Sequence, residues 1–170
     1  MIPDAYYKDI YSINYDKLKK LKIKNIYFDV DNTLITYKDI SANKELISFI
    51  DKLKKDFNIE LISNSKSNRV LKVAKELDVK GYYFSMKPLK KNYRKILKNH
   101  KKEDCIFVGD QFMTDIIGAK RNGLRVILVD RLLYDEPAFT RFWRFFEKIL
   151  IKKYKKKKLF NVHEYYDHLS

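Results

Sequence analysis

The sequence predicts an α/β fold in three layers, with a parallel sheet between two layers of helices. Four short apolar stretches that end in polar residues are predicted to be buried strands, at 23–30, 58–63, 105–108 and 125–130. Segments with helical spacing lie between them, so that strand and helix alternate. This alternation favours parallel strands joined by right-handed crossovers. In such a sheet, ligands bind at the carboxyl ends of the strands.

The predicted helices are recognised by apolar residues that recur at intervals of three and four. The four series are Leu46, Phe49, Ile50 and Leu53; Val70, Val73, Ala74 and Leu77; Tyr93, Ile96 and Leu97; and Ile116, Ile117 and Ala119. No flexible Gly/Ser linker separates them. We therefore expect a single domain over residues 1–170, with a core at about 22–131 and a C-terminal helical extension at about 135–170.

The C-terminal extension is predicted to begin with a basic amphipathic helix. Pro137 suits the first turn of a helix, and both an apolar series and a basic series follow it. The apolar series is Phe139, Phe142, Trp143, Phe146, Ile149 and Leu150, and the basic series is Arg141, Arg144, Lys148, Lys152 and Lys153. Such a helix either covers the sheet or lies on an anionic membrane surface, and its two faces permit both interpretations.

The composition predicts one buried core and an attraction to anions. The chain has 170 residues, of which 45% are hydrophobic, and its formal net charge is +15. Nucleic acid, ribosomes, acidic membranes and phosphorylated substrates all fit this charge, and so do lysines that only solvate the surface. The chain lacks a run of about 20 apolar residues, a signal peptide and a second cysteine to pair with Cys105. We expect a cytoplasmic protein.

The first predicted strand runs into two acidic residues, within Asp29-Val30-Asp31-Asn32-Thr33. Carboxylates this close repel each other, so one stays protonated or a cation lies between them, and either arrangement suits a nucleophile with an acid–base partner. An ordinary acidic turn is the alternative. A calcium-binding EF-hand loop is rejected, because Leu34 stands where that loop needs glycine.

Three later segments lie where they would share a crevice with these acids. Ser63–Asn64 ends the second predicted strand, and Lys87 precedes Pro88 at the start of a predicted helix. Gly109–Asp110 follows the third predicted strand, with Asp115 five residues after Asp110. A hydroxyl and backbone N–H groups suit a phosphate, and carboxylate oxygens suit Mg²⁺. Each residue alone is more often a helix cap or a solvated side chain, but their order favours a common site.

These residues together resemble the four ordered motifs of the haloacid dehalogenase (HAD) superfamily of phosphatases. The matching motifs are Asp29-x-Asp31-x-Thr33, Ser63, Lys87 and Gly109-Asp110-x4-Asp115. The chain more closely resembles the YqeG family of subfamily IIIA, which is similar to the mitochondrial phosphatidylglycerophosphate phosphatases. That resemblance adds Asn64, Pro88, Gln111, Thr114, Glu136-Pro137 and Thr140-Arg141, and it runs from Pro3 to about Glu147.

The resemblance implies a role for each motif residue. Asp29 would attack phosphorus and become an aspartyl phosphate, while Asp31 would protonate the leaving oxygen and then activate water. Mg²⁺ would be held by the Asp29 carboxylate, the Asp31 main-chain carbonyl and Asp110, with Asp115 orienting this shell.

The same resemblance assigns the phosphate-binding groups. Ser63 and the Asn64 N–H would hold phosphoryl oxygens, and Lys87 would offset the charge of two approaching anions.

The resemblance also distinguishes hydrolysis from phosphoryl transfer. Dehalogenases and ion-pumping ATPases of the superfamily lack an aspartate at the place of Asp31, which leaves phosphatase or mutase. A mutase excludes water with an inserted cap domain. Residues 30–62 and 64–86 are too few to hold a cap as well as the predicted helices and strands. We therefore expect a capless, open site that hydrolyses its substrate.

The leading hypothesis is a Mg²⁺-dependent phosphomonoester hydrolase, with phosphatidylglycerophosphate as the favoured substrate and peripheral contact with an anionic membrane at its inner face. Nucleotides, sugar phosphates and phosphorylated macromolecules are the alternative substrates. A non-catalytic module that binds RNA or the ribosome is a further alternative, ranked lower because no RNA-binding signature is recognisable.

Overall fold

Seven strands form one sheet within the part of the chain that the computed structural model describes. That part comprises residues 1–65, 67–83, 85, 87, 93, 96–133 and 138–170, with the backbone alone for 67, 99 and 138–143. The strands are β1 (Ala5–Tyr7), β2 (Asn25–Phe28), β3 (Asn58–Ile62), β4 (Lys80–Tyr82), β5 (Cys105–Gly109), β6 (Arg125–Val129) and β7 (Tyr166–Asp167). Their order across the sheet is β4-β3-β2-β5-β6-β1-β7, and the pairings are parallel except for that of β1 with β7.

Helices follow most of the strands. They are α1 (Tyr15–Lys20), α2 (Lys44–Leu53), α3 (Ser67–Glu76), α4 (Ile117–Arg121) and α5 (Ala138–Lys156), and a π-helical turn at Phe112–Ile116 leads into α4. Local sequence explains where α2 begins. The Asn43 side chain accepts a hydrogen bond from the Leu46 N–H at 2.8 Å, which satisfies one of the unpaired donors of the first turn. The buried residues Leu46, Ile50 and Leu53 then form one face of the helix.

The sheet separates two hydrophobic clusters, as three layers require. Ile26 and Phe28 of β2 pack into the first cluster, with the apolar faces of α1, α2 and α3, whereas Tyr27 packs into the second. The second cluster contains Phe112 and Ala119, and one face of α5 packs against it. Because successive side chains of a strand point to opposite faces, a central strand covered on both sides must be apolar throughout. This is why β2 and β5 are buried along their whole length.

The chain changes direction across the sheet next to β2. From β2 it runs outward through β3 to β4, and then returns to the other side of β2 to form β5 and β6. The carboxyl ends of β2 and β5 therefore flank a topological switch point, where parallel sheets bind ligands. Asp29 follows β2, and Asp110 follows β5.

The predicted α/β fold and its four strands are confirmed, and three strands are additional. β1, β4 and β7 are two or three residues long and have no apolar run that distinguishes them from loops. β1 and β7 lie outside the predicted core at about 22–131, and β7 gives the C-terminal extension a strand as well as a helix. The predicted helix at Tyr93, Ile96 and Leu97 lies largely outside the described residues, although these three side chains are buried.

Helix α5 covers the sheet with one face and exposes another. Arg144 and Glu147 are buried, while Phe145, Phe146 and Ile149 are exposed. The prediction that Arg144 belongs to the solvated basic face of this helix was therefore wrong, because its side chain points into the protein. Other predictions for this segment fall outside the described residues. They concern the side chains of Phe139, Arg141, Phe142 and Trp143, and the Glu136-Pro137 motif. None of the described helices combines the length and the apolar character that a membrane span requires.

Candidate active site

A buried cation joins two carboxylates at the switch point. The Lys87 Nζ lies 2.5 Å from the Asp29 Oδ1 and 2.7 Å from the Asp115 Oδ1, and it donates a third hydrogen bond to the Ile62 carbonyl at 3.0 Å. The three charged side chains are nearly inaccessible, with 2%, 8% and 1% exposure for Lys87, Asp29 and Asp115. Burial alone would lower the pKa of Lys87, but the Asp115 and Asp29 carboxylates raise it well above its usual range. Lys87 is therefore a permanent positive charge beside Asp29.

Asp29, Asp110 and Asp115 form a cluster that fits a divalent cation. One ligand oxygen from each lies within 4.8 Å of the others. Burial raises the pKa of Asp29 to about 7, with Lys87 opposing the shift and the neighbouring carboxylates adding to it. Burial likewise raises the pKa of Asp110 to about 7. A further cation beside Asp29 and Asp110 would oppose these upward shifts of pKa, and an all-oxygen set suits Mg²⁺.

Gly109 allows Asp115 to reach this cluster. A Cβ atom at Gly109 would lie 2.5 Å from the Asp115 Oδ2, closer than real contacts allow. That oxygen also accepts a hydrogen bond from the Gln111 N–H at 3.0 Å, across the π-helical turn. Asp115 thus folds back over the end of β5, and the spacing of Gly109-Asp110-x4-Asp115 has a steric explanation.

Asp31 lies in a tight loop beyond β2 and points towards α3. Its Oδ2 accepts hydrogen bonds from the hydroxyls of Ser63, at 3.3 Å, and of Ser65, while its Oδ1 is paired with the Arg69 guanidinium. The loop turns at Asn32, which has a positive φ of 62° and belongs to the residue types that tolerate this conformation. Asp31 therefore has its own set of side-chain partners, which differ from those of Asp29 and Asp115.

Ser63 and Asn64 end β3 beside both groups. Ser63 is fully buried, and its Oγ accepts a hydrogen bond from the Ser65 N–H at 3.0 Å. The Asn64 side chain brackets the Lys87 backbone, since its Oδ1 accepts from the Lys87 N–H at 2.7 Å and its Nδ2 donates to the Lys87 carbonyl at 3.1 Å. The Asn64 amide thereby positions the backbone of Lys87, a contact that the sequence did not predict.

The predicted site residues thus meet at one edge of the sheet, and comparison with known proteins identifies the family. A family model described as HAD-hydrolase-like matches residues 85–138. The probable phosphatase YqeG of Bacillus subtilis strain 168 is 33% identical over 159 residues, which cover 92% of each chain. This chain belongs to the YqeG family of HAD-like phosphatases. It is a hydrolase, and its substrates are phosphomonoesters.

Two further relatives of the YqeG-family chain are more distant. The phosphatidylglycerophosphate phosphatase 1, chloroplastic/mitochondrial, of Arabidopsis thaliana is 26% identical over 172 residues, which cover 94% of this chain and 49% of that protein. The structure of a predicted HAD-like family hydrolase from Porphyromonas gingivalis superposes with a TM-score of 0.54 at 17% identity, covering 72% of this chain and 98% of that one. The latter likeness shows the shared fold.

Two arginines of this YqeG-family site were not predicted to belong to it. Arg69 of α3 pairs with Asp31 and also donates hydrogen bonds to the carbonyls of Thr36, at 2.5 Å, and Asp39, at 2.6 Å. It therefore ties Asp31 and the following loop to α3. The sequence carried one signal of this contact, since Arg69 lies in the first turn of the helix that follows β3, the strand that ends at predicted site residues.

Arg144 of α5 is the second arginine. Its Nη2 pairs with the Asp110 Oδ2, and its Nη1 lies 3.3 Å from the Asp110 carbonyl and 2.9 Å from the Glu147 Oε2. The other oxygen of Glu147 accepts a hydrogen bond from the Phe112 N–H at 3.1 Å. Helix α5 is thus attached to the acidic cluster by a buried ion pair. An Arg and a Glu three residues apart on an otherwise apolar face were the only sign of this in the sequence.

Proposed function

We propose that this phosphatase hydrolyses its substrate through an aspartyl phosphate on Asp29, with Mg²⁺ as cofactor. The observation that carries the proposal is the buried Asp29 carboxylate at the switch point, with a lysine amine at 2.5 Å and two further carboxylates within 4.8 Å. A carboxylate becomes a useful nucleophile towards a phosphate only where positive charge offsets the repulsion between the two anions.

Each proposed step uses a group of this chain. Asp29 forms a bond to phosphorus while the bond to the leaving oxygen breaks, and Asp31 gives that oxygen its proton. Asp31 then takes a proton from water as the water oxygen bonds to phosphorus and the bond to Asp29 breaks. The Ser63 hydroxyl and the Asn64 N–H would hold phosphoryl oxygens during both steps.

The proposed metal ligands are Asp29, Asp110 and the main-chain carbonyl of Asp31, with Asp115 supporting them. A Mg²⁺ ion bound there would polarise the phosphoryl group and neutralise part of its charge. Lys87 holds the Oδ1 of Asp29 through a 2.5 Å contact, and the Oδ2, which accepts a hydrogen bond from the Thr33 hydroxyl at 3.5 Å, is the oxygen that would attack. The described residues near this cluster supply oxygen ligands, which favours Mg²⁺ over zinc.

Phosphate release from a panel of phosphomonoesters, with and without Mg²⁺, tests the proposal. Asp29→Asn should abolish release while the protein stays folded, because an amide is a poor nucleophile and a weaker metal ligand. Asp51→Asn, which alters an exposed acid of α2, is the matched control and should keep normal activity. Full activity after exhaustive chelation, restoration by zinc alone, or near-normal release from folded Asp29→Asn would each contradict this mechanism.

We further propose phosphatidylglycerophosphate as the substrate, reached from an anionic membrane surface. Support comes from the similarity to the Arabidopsis phosphatidylglycerophosphate phosphatase and from the exposed face of α5, where Phe145, Phe146 and Ile149 are 61%, 42% and 54% exposed beside Lys148 and Lys152. Each basic residue near an anionic surface adds about 1 kcal/mol of attraction. Arg144 is not part of this surface.

Sedimentation with anionic vesicles tests this second proposal. Replacing Phe145, Phe146 and Ile149 with Ser should weaken sedimentation and slow lipid hydrolysis, and high salt should act in the same direction through the lysines. Unchanged sedimentation and lipid turnover would rule out membrane docking by this face. Faster hydrolysis of nucleotides, sugar phosphates or a phosphoprotein would replace the lipid substrate. An absence of turnover with salt-sensitive RNA affinity would favour the non-catalytic alternative.

A further inference from the structure

A groove of about 690 Å³ opens beside Asp110, between α5 and the carboxyl end of β6. Asp110 and Arg144 belong to its lining, so it adjoins the acidic cluster. Its apolar surface comes from β6, α5 and the segment that follows α5, and its outer rim is basic. The apolar residues are Leu128, Val129, Ile151, Phe160 and Val162, and the rim lysines are Lys148, Lys152 and Lys155. We call this the Asp110 groove.

The acidic residues of the Asp110 groove already have partners. Asp110 and Glu147 share Arg144. Asp130 accepts a hydrogen bond from the Tyr165 hydroxyl at 2.6 Å and another from the Tyr6 hydroxyl, and His163 lies 3.2 Å from it. These contacts offset or occupy the carboxylates that face the groove.

In the described part of the chain, the rim lysines have no such partners. Lys148, Lys152 and Lys155 are exposed, and within the described residues none of them forms an ion pair. They project from one helix at intervals of three and four residues, so they line the same side of it. The Asp110 groove therefore combines an apolar floor with uncompensated positive charge at its rim, which complements an amphiphilic anion.

We propose that the Asp110 groove binds the leaving group of the substrate, and that this leaving group carries an apolar chain and a second anionic group. The inference rests on the proposed phosphatase mechanism, because the Asp29 and Asp110 carboxylates have oxygens within 4.8 Å of each other, so a substrate whose phosphoryl group is held at Asp29 lies next to the groove. The volume of the groove lies within the range of about 300–1,000 Å³ that is typical of pockets for drug-sized ligands. A simple alcohol would fill only a small part of this volume. A sugar would leave the apolar floor without a partner.

The Asp110 groove differs from the exposed face of α5 in what it binds. Phe145, Phe146 and Ile149 lie outside its lining, and they would contact a surface rather than a single molecule. A groove selects its ligand even when that ligand is monomeric in solution, whereas a membrane-docking face acts only on assembled lipid. Short-chain substrates below their micellar concentration therefore separate the two effects.

Steady-state kinetics with two monomeric substrates test the groove. One is dihexanoyl phosphatidylglycerophosphate, which has chains and a second anion, and the other is p-nitrophenyl phosphate, which has neither. Replacing Lys148, Lys152 and Lys155 together with Gln should lower the ratio of kcat/KM for the first substrate to kcat/KM for the second by about tenfold or more, a change of about 1.4 kcal/mol.

Two further variants make the test specific. Replacing Lys153, Lys156 and Lys157 with Gln removes the same charge in the last turn of α5 and just after it, at residues outside the groove lining, and it should leave the ratio unchanged. Val162→Asp places a carboxylate on the groove wall at a side chain that is 41% exposed, and it should lower the ratio without unfolding the protein. Equal effects of the two lysine triples, or no effect of the groove triple and Val162→Asp, would overturn the inference.

A binding measurement distinguishes failure of the groove from failure of the catalytic mechanism. Calorimetry with monomeric dihexanoyl phosphatidylglycerol, which is the leaving group itself, should detect binding that the groove triple weakens and the control triple does not. Such binding without turnover would refute the phosphatase mechanism and retain an amphiphile site. Turnover of both substrates with no binding of this lipid would retain the mechanism and refute the groove.

Discussion

Replacing Arg144 with Met should strongly destabilise the protein in the absence of metal. The side chains of Arg144, Asp110 and Glu147 are 11%, 4% and 8% exposed, and Arg144 is the cation that both acids contact. Met retains much of the side-chain volume and removes the charge. Two buried carboxylates then lose their partner at once.

The size of the effect follows from the cost of an unpaired buried charge. Breaking a buried ion pair by removing one partner typically costs about 3–5 kcal/mol. For a chain of this length, that corresponds to a fall in Tm of about 6–20 °C. The carboxylates will relieve part of the cost by taking up protons, because burial already raises the pKa of Asp110 and of Glu147.

Chemical denaturation of the metal-free protein measures the change directly. Lys148→Met, which alters an exposed residue of the same helix, should stay within about 0.5 kcal/mol of the wild type. In a double-mutant cycle, Asp110→Asn should make the Arg144→Met change less costly, because one of the two carboxylates is then neutral. A loss below about 1 kcal/mol for Arg144→Met, or strict additivity with Asp110→Asn, would refute a buried ion pair between α5 and the acidic cluster.

Three further substitutions probe the contacts around the nucleophile. Gly109→Ala should lower kcat by about a hundredfold, because the added Cβ displaces Asp115, and a displacement of about 1 Å in an active site can lower the rate by that factor. A normal kcat would show that the site tolerates the added Cβ without displacing Asp115. Arg69→Gln should lower kcat more than it raises KM, by roughly a hundredfold, since Asp31 loses its positioning partner; a change confined to KM would instead indicate a substrate contact. Lys87→Met should abolish phosphate release and destabilise the metal-free protein by about 3–5 kcal/mol, measured by denaturant unfolding, and near-normal release would exclude its charge from the reaction.

The sequence alone determined the class of fold and the acidic core of the candidate site. Buried central strands must be apolar on both faces, so β2, β3, β5 and β6 are visible as runs of apolar residues. Parallel strands bring their carboxyl ends to one edge, so residues that follow such runs meet there whatever the details of packing. For this reason the sequence alone places Asp29, Ser63 and Asp110 in one crevice.

Only the tertiary structure decided which helix faces reach that crevice. Arg144 has the same local sequence character as the exposed Lys148, and helical spacing does not reveal which of the two faces the sheet. Its partner Asp110 lies 34 residues away in the sequence, and their contact depends on how α5 packs against the π-helical turn that follows β5. The short strands β1 and β7 form for the same reason, since their pairing depends on neighbours that are distant in the sequence. Local pattern determines which segments are buried, whereas the choice of charged partner depends on distances that exist only in the folded chain.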